Sequence, residues 1–282
     1  MNGYCVALGF FDCVHRGHRK VLDTSINVAD ANGLFPAAVT FDDQSLGLLN
    51  KTQIYNFSTR KAIMRDMGIR KIFSFCFDEQ LKRMSARQFL SLLVSYNVKH
   101  FVFGEDYTCG YDRKDSKQVS ELCLSMGASV TIVKLLEQNG SKISSSEIEK
   151  ALKCGQIEYA NKLLGSPYFV RGEVMHGREV GRTMGFPTAN VRTNGILLLS
   201  GVYKTITAFD GKKYNGLTNV GGKPTFDIQS PTVENTLIGF SGNLYGKVIE
   251  VEFIKFIRPI VKFNNINELK SQIQKDMEDA RC

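Results

Sequence analysis

Two of the chain's four histidines, His15 and His18, fall three residues apart in the run "GFFDCVHRGH" (9–18), with Gly17 between them. Side chains of this type at this spacing suit the handling of phosphate. A helix N-terminus offers free N–H groups and the positive end of its dipole. A glycine lets the backbone come close, and each imidazole can donate to phosphoryl oxygens as charge builds in an in-line displacement. Gly9 and Asp12 fall in step with the pair. On spacing alone, two surface histidines in a loop remain the plainer reading.

Two further sets of residues could act on phosphate. "GREVGRTMGFPTAN" (177–190) is a glycine-rich turn carrying arginines, able to fold over a triphosphate and shield its charge. At its end Thr188 and Asn190 both carry oxygens, and residues i and i+2 of an extended stretch face one side. Such a pair suits Mg²⁺, which takes few protein ligands together with phosphates and water. In "PTVENTLIGF" (231–240), Glu234 is the lone acid of a neutral strand. A carboxylate there can accept the proton of a primary hydroxyl attacking the γ-phosphate of ATP. A hydrophilic turn and a solvent-facing edge glutamate are the plainer alternatives.

These residues need a frame, and the chain reads as two. Up to about residue 165, strand and helix alternate. "YCVALGF" (4–10) is an apolar run suited to a strand buried on both faces. A helical pattern follows over 18–31 and stops at Gly33. "FPAAVTF", "IRKIFSFCF", "KHFVFG" and "SVTIVKLL" are further strands, with Ser58 and Ser85 as N-caps of intervening helices. Strands spaced by helices predict a doubly wound parallel sheet, Rossmann-like, whose ligands bind at the carboxyl ends of the strands. From about residue 166, strands are separated by turns rich in Gly, Asn and Asp, which predicts a small antiparallel β-barrel. In its last strand Ile249, Val251 and Phe253 share a phase that Ile254 and Phe256 reverse, which predicts a bulge or burial on both faces. An amphipathic helix over 265–281 closes the chain. The expected division is 1–165 and 166–282, an α/β domain followed by a β domain.

The totals bound the rest. A chain of 282 residues, 43% hydrophobic and 23% charged, is of globular composition with room for two cores. No apolar run reaches membrane-spanning length, and no basic leader precedes the first strand. The seven cysteines are scattered without metal spacing, which supports reduced thiols in a cytoplasm and gives zinc no support. The net charge of +8 favours anionic partners. No basic run interleaved with aromatics points to nucleic acid, so a phosphorylated small molecule fits as well.

The opening run resembles the G-x-F-D-x-x-H-x-G-H signature of the nucleotidyltransferase superfamily, and "KISSSEIEKAL" (142–152) stands where that superfamily has its second signature. Within it, the order and spacing of "GEDYTCG" (104–110), "LKCGQIEYANKLLG", "GEVMHGREVGRTMGFPTANV", "TNVGGKPTF", "VENTLIGFSGNLYGK" and "FIKFIRPIVKF" resemble the bacterial bifunctional riboflavin kinase/FAD synthetases, over essentially the whole chain. The resemblance implies an N-terminal FMN adenylyltransferase domain and a C-terminal riboflavin kinase barrel, acting on riboflavin, FMN and ATP with Mg²⁺. For the kinase it implies Glu234 as base, Thr188 and Asn190 as magnesium ligands, and Gly172, Gly177, Arg178 and Gly181 as phosphate-loop positions. For the adenylyltransferase it implies nucleotide binding by Gly9, Asp12, His15, Gly17, His18, Asp106, Ser144, Ser145 and Ser146.

The adenylyltransferase half departs from that pattern. "TFDDQSLG" (40–47) lacks the usual Pro-His-Pro, "GEDYTCG" lacks an arginine, and Glu149 replaces the arginine of Ser-Ser-Thr-x-x-Arg. A glutamate for an arginine turns attraction to triphosphate into repulsion of several kcal/mol at ~4 Å. The expectation is strong riboflavin phosphorylation and weak or absent adenylylation, unless Lys142 or Lys150 compensates. A fully active bifunctional enzyme, a flavin-sensing or RNA-binding regulator, and nucleotidyl transfer to another phosphate compound stay open. The oligomeric state is not legible.

Overall fold

Four of the five residues of strand β1 (Tyr4–Leu8) are buried, as a central place in a parallel sheet demands. The computed structural model of the protein describes residues 2–43, 45, 53–138, 140–176, 188–193, 197–221 and 232–281. Strands β2 (Phe35–Phe41), β3 (Lys71–Phe75), β4 (Val98–Gly104) and β5 (Ser129–Val133) join β1 in a sheet of order β3-β2-β1-β4-β5, every pairing parallel. Alternation divides β1 between two cores. Val6 and Leu8 pack with Leu90, Phe101 and Phe103, whereas Cys5 and Ala7 pack with Leu22, Met64 and Val102. The strand order reverses between β1 and β4, which opens a crevice at their carboxyl ends.

Helices α1 (Arg16–Ala31), α2 (Phe57–Asp66), α3 (Glu79–Lys82), α4 (Ala86–Ser95) and α5 (Ser116–Ser125) complete the crossovers. Ser85 caps α4 in a full capping box with Gln88, as its position predicts. Ser58 does not cap α2. Asn56, in extended backbone, accepts the amide of Thr59 at 2.8 Å, and the Ser58 hydroxyl donates to the same oxygen. Asn is as strong an N-cap as Ser, and here it stands at the residue where helical backbone begins.

The short hairpin β6 (Glu137–Gln138) and β7 (Ser141–Lys142) precedes α6 (Ser145–Lys153) and α7 (Ile157–Leu164). The chain packs as two units, Met1–Ser145 and Ser146–Cys282. The change of sequence pattern at 165/166 is a different boundary from this change of packing. Asn161 of α7 donates to the carbonyl of Phe253 at 2.8 Å and accepts the amide of Tyr168 at 2.7 Å, which fixes α7 to the strands that follow it.

Those strands are β8 (Tyr168–Met175), β9 (Ala189–Val191), β10 (Gly201–Phe209), β11 (Lys212–Gly221), β12 (Thr232–Leu237) and β13 (Val248–Pro259). They close a barrel of order β10-β11-β12-β9-β8-β13, antiparallel throughout. In β13, Ile249, Val251 and Phe253 point into the core, and the pairing with β10 skips Ile254 and Ile257. These are the bulges that the change of phase predicts. Helix α8 (Ile266–Arg281) covers Val202 and Leu217 with Ile273, Met277 and Ala280.

A polar network lies inside the barrel. Asn235 donates to Thr207 at 2.6 Å and accepts from Thr218 at 3.0 Å, and Thr218 pairs with Thr205 at 2.8 Å. All four residues are fully buried, so each hydroxyl depends on the others for its partner. The Asn235→Ala variant is expected to lose about 2–3 kcal/mol, because it leaves the buried Thr207 hydroxyl without its donor and removes the acceptor of Thr218, which keeps only Thr205. Urea denaturation of the intact chain measures this, and an unchanged unfolding free energy would contradict it.

Candidate active sites

In the first unit, β1 runs into a turn with two residues in the left-handed region, Phe11 at φ 51° and Val14 at φ 49°. For a β-branched valine this is a true outlier, costing ~1–3 kcal/mol, and it persists only when the surroundings over-determine it. Both side chains are fully buried and supply that constraint. The turn aims Asp12 and His15 inward, 8% and 6% exposed. A Cβ on Gly9 would lie 2.8 Å from the Phe11 ring, and one on Gly17 would lie 3.1 Å from the His15 ring. A side chain at Gly9 would force the buried Phe11 ring to move, and one at Gly17 would press on His15.

His15 is itself the N-cap of α1, which starts two residues earlier than its apolar pattern suggests. Its Nδ1 accepts the amide of His18 at 3.1 Å. The His15 and His18 rings stack at 3.6 Å and 13°, and Phe11 meets His18 edge-on at 5.3 Å. Burial first, and then the neighbouring His18, push the His15 pKa down to about 3. A neutral imidazole that accepts at Nδ1 carries its proton at Nε2, so His15 is a hydrogen-bond donor of fixed tautomer at the head of a helix.

The second signature reaches this turn. The Ser145 hydroxyl donates to Asp12 Oδ1 at 2.5 Å and lies 3.5 Å from Cys13 Sγ. Asp12 is also 3.9 Å from His18 Nδ1. Ser144 precedes the helix half-buried, and Ser146 is exposed at the start of the second unit. Asp106, exposed in the turn after β4, pairs with Lys142, and Gln138 of the hairpin accepts from Arg16 at 2.8 Å. Glu149 pairs with Lys153 one turn along α6, at 2.6 Å.

Cysteine spacing gives no hint that Cys13 joins His15 and His18, with one ligand atom of each within 4.8 Å of the others. Burial raises the Cys13 thiol well above its ordinary range, and the Nδ1 lone pair of His15 is already engaged. The thiol is accordingly held protonated, and the His15 ring offers a hydrogen-bond donor at Nε2. Arg60, in a run of ordinary helical composition, carries no sequence signal of its place. It is fully buried under this turn, donating to the carbonyls of Phe10 and Phe41 and to Thr40.

In the second unit, strand register assembles the site. Glu234 stands opposite Asn190 on β9 and opposite Asn219 on β11. Cross-strand partners share a face, so the carboxylate is flanked by two amides. Thr188, Asn219 and Glu234 line a cavity of about 340 Å³, whose other lining includes Ile260, Val261, Phe263, Leu269 and Ile273. Gly172 lies within β8, where a Cβ would come 1.9 Å from the Arg192 carbonyl oxygen, so strand packing alone excludes a side chain there. Gly177, Arg178 and Gly181 lie outside the described residues. Motif reading missed Arg258 and Asp276, which also line the cavity. The available signal was an acid on the apolar face of α8, one turn from Ile273 and Ala280.

A doubly wound unit with a phosphate-ready turn, followed by a barrel with a carboxylate beside oxygen and amide donors, is the arrangement of a group transferase. Comparison with known proteins narrows this. The FAD synthetase family matches residues 1–147 and the riboflavin kinase family residues 164–282. Bifunctional riboflavin kinase/FMN adenylyltransferases are similar over nearly the whole chain. That of Bacillus subtilis (strain 168) is 38% identical, covering 98% of this chain and 90% of the relative. That of Listeria monocytogenes is 35% identical, covering 98% and 91%. That of Escherichia coli (strain K12) is 31% identical, covering 99% and 92%. A solved structure from Streptococcus pneumoniae, described as a macrolide-efflux protein, superposes with a TM-score of 0.88 at 29% identity, covering 100% of this chain and 95% of that one. Among the described residues no helix is long and apolar enough to cross a membrane. The chain belongs to the bifunctional riboflavin kinase/FMN adenylyltransferase family.

The depressed His15 pKa has a measurable sign. The unfolded chain takes up a proton at His15 below about pH 6.5, and the folded chain refuses it until about pH 3. The contribution of this residue to stability is therefore complete above about pH 6.5 and is lost progressively as the pH falls toward 3. Histidine NMR is expected to show the Nε2–H tautomer of His15 at pH 7 and no titration of that ring down to about pH 5. A midpoint near 6.5 would contradict it.

Proposed function

We propose that Glu234 is the general base of riboflavin phosphorylation in the second unit, and that His15 and His18 are hydrogen-bond donors to the phosphates in FMN adenylylation in the first. The chain is a riboflavin kinase and FMN adenylyltransferase. In the kinase step the 5′-hydroxyl of riboflavin loses its proton to Glu234 and attacks the γ-phosphorus of ATP, and ADP leaves. In the adenylylation step a phosphate oxygen of FMN attacks the α-phosphorus of ATP, pyrophosphate leaves, and FAD forms. The observation that carries the kinase assignment is the register that sets Glu234 between Asn190 and Asn219 on the wall of a cavity with apolar lining.

Thr188 and Asn190 supply neutral oxygen donors, a set that fits Mg²⁺ and no soft metal. When bound, the ion offsets the charge of the ATP phosphates. The apolar wall suits a flavin ring, and Glu234 beside it suits the hydroxyl of the flavin's side chain. In the first unit the N-terminus of α1, the Nε2–H of His15 and the ring of His18 meet charge developing on phosphate oxygens without accepting a proton. Lys142 offsets the charge of Asp106, and the Ser145 hydroxyl hydrogen-bonds the Asp12 carboxylate. The anionic partners favoured by the net charge are on this reading FMN and ATP, with neither nucleic acid nor a membrane required. Six described cysteines are free thiols, which supports a reducing compartment, the cytoplasm.

Glu234→Gln is expected to lower kcat for FMN formation by about 10²–10⁴-fold with riboflavin still bound. Chromatography of flavins after incubation with ATP and Mg²⁺ measures the first, and calorimetric titration the second. Retained activity would remove Glu234 from the mechanism. Glu149 stands where the family resemblance places an arginine, and Glu149→Arg is expected to raise FAD formation from FMN while leaving FMN formation unchanged. No gain in FAD would show that the chain does not need that cation.

A further inference from the structure

The turn that carries Asp12 and His15 rests on a buried cation. Arg60, on α2, is fully buried, and its Nε has no partner among the described residues. Its Cζ lies 5.6 Å from the centroid of the Phe10 ring and 5.3 Å from that of Phe57. Among the described residues its salt bridge is to Asp43, at 3.4 Å, whose side chain is 47% exposed. An ion pair this long and exposed is weak compensation for burying a guanidinium, and a neutral apolar side chain would fill the space at lower cost. What Arg60 contributes is its donors.

Those donors converge on backbone at the ends of two strands. The ladder between β1 and β2 stops at Leu8 and Val39, so the carbonyl of Phe10 lies beyond it. Thr40 Oγ1 donates to that carbonyl at 2.6 Å. Arg60 Nη1 donates to it at 3.2 Å and to Thr40 Oγ1 at 3.1 Å, and Arg60 Nη2 donates to the carbonyl of Phe41 at 2.9 Å. One planar fork thus bridges the chain after β1 and the end of β2. The Phe10 carbonyl belongs to the peptide plane that sets φ of Phe11. That φ stands at 51°, and with the Phe11 side chain fully buried it relaxes by turning of that plane. Two donors hold the carbonyl oxygen, so the plane cannot turn without leaving both of them unpaired in a buried place.

Resting on the adenylylation reading above, we infer that Arg60 is a positioning residue for adenylyl transfer: its hold on the Phe10 carbonyl locks Phe11 in the left-handed region, and that turn aims His15 at the phosphates and Asp12 at Ser145. Thr40 is the second member of the same lock. Arg60 is fully buried and acts through the backbone, so it touches neither ATP nor FMN. Its effect is on the geometry of the donors, where a displacement of a fraction of an ångström is felt in the rate.

The test uses the intact chain, with FAD formation from FMN and FMN formation from riboflavin followed by chromatography and histidine NMR recorded on the same samples. Arg60→Met fills the space without donors or charge. It is expected to keep FMN formation within about twofold, because Glu234 lies in the other unit, and to lower kcat for FAD formation by about 10–100-fold. Its His15 ring, released from the buried cap, is expected to titrate above about pH 5, where the unmodified ring stays neutral. A loss of stability alone would lower the yield of folded protein and leave the His15 titration of the folded part where it was. Thr40→Val removes the other donor and keeps the branched shape, so both changes are expected in lesser degree, and it carries the test where Arg60→Met does not fold. FAD formation within about threefold of the unmodified protein in the folded variants, or a slowed reaction with the His15 titration unmoved, overturns the inference. Absence of FAD from the unmodified protein would instead overturn the adenylylation reading, and the inference with it.

Discussion

A polar group removed from water must find a partner in its own chain, and each unit is organised around that constraint. In the first unit Arg60 is fully buried and answers the carbonyls of Phe10 and Phe41, Ser145 answers Asp12, and the His18 amide is answered by the His15 ring. In the second, three threonines and Asn235 answer one another inside the barrel, and Arg258 answers Asp276 against α8. Apolar packing sets the sheet and the barrel, but these polar closures decide where the side chains with chemistry must stand.

The constraint has consequences for reactivity. Using Nδ1 of His15 as a helix cap settles its tautomer, and burial keeps the ring neutral. The result is a hydrogen-bond donor that does not take up a proton near neutral pH, which suits the role proposed for it at phosphorus. The strained backbone at Phe11 and Val14 follows from the same demand. A relaxed turn would not deliver Asp12 and His15 inward, and the full burial of the two strained side chains offsets the cost.

In the barrel the constraint operates through register. Glu234 and Asn235 are neighbours on β12 and face opposite ways. Asn235 is tied to threonines on β10 and β11, so β12 cannot slip by a residue without burying the glutamate and exposing the network. The alternation that holds the barrel together also holds the carboxylate on the wall of the cavity. Two substitutions that look independent in sequence, at 234 and 235, are mechanically one feature.

The sequence by itself determined what local chemistry can determine. Hydrophobic period separated a parallel sheet from a barrel, the reversal of phase in β13 marked its bulges, and Gly9–His18 marked the strand-to-helix turn because helix start, glycine and imidazole are adjacent in the chain. Glu234, Thr188 and Asn190 could be proposed for a similar reason, because each stands in a short run whose residue types suit the chemistry. Only the tertiary structure decided that Asn56 rather than Ser58 starts α2, that Ser145 closes on Asp12, and that Arg258 meets Asp276. Each of these depends on the direction in which a side chain leaves its element and on which distant element it then meets. Periodicity and spacing describe a residue's neighbours along the chain, whereas a buried polar partner is chosen by distance in space, after the sheet twists and the barrel closes.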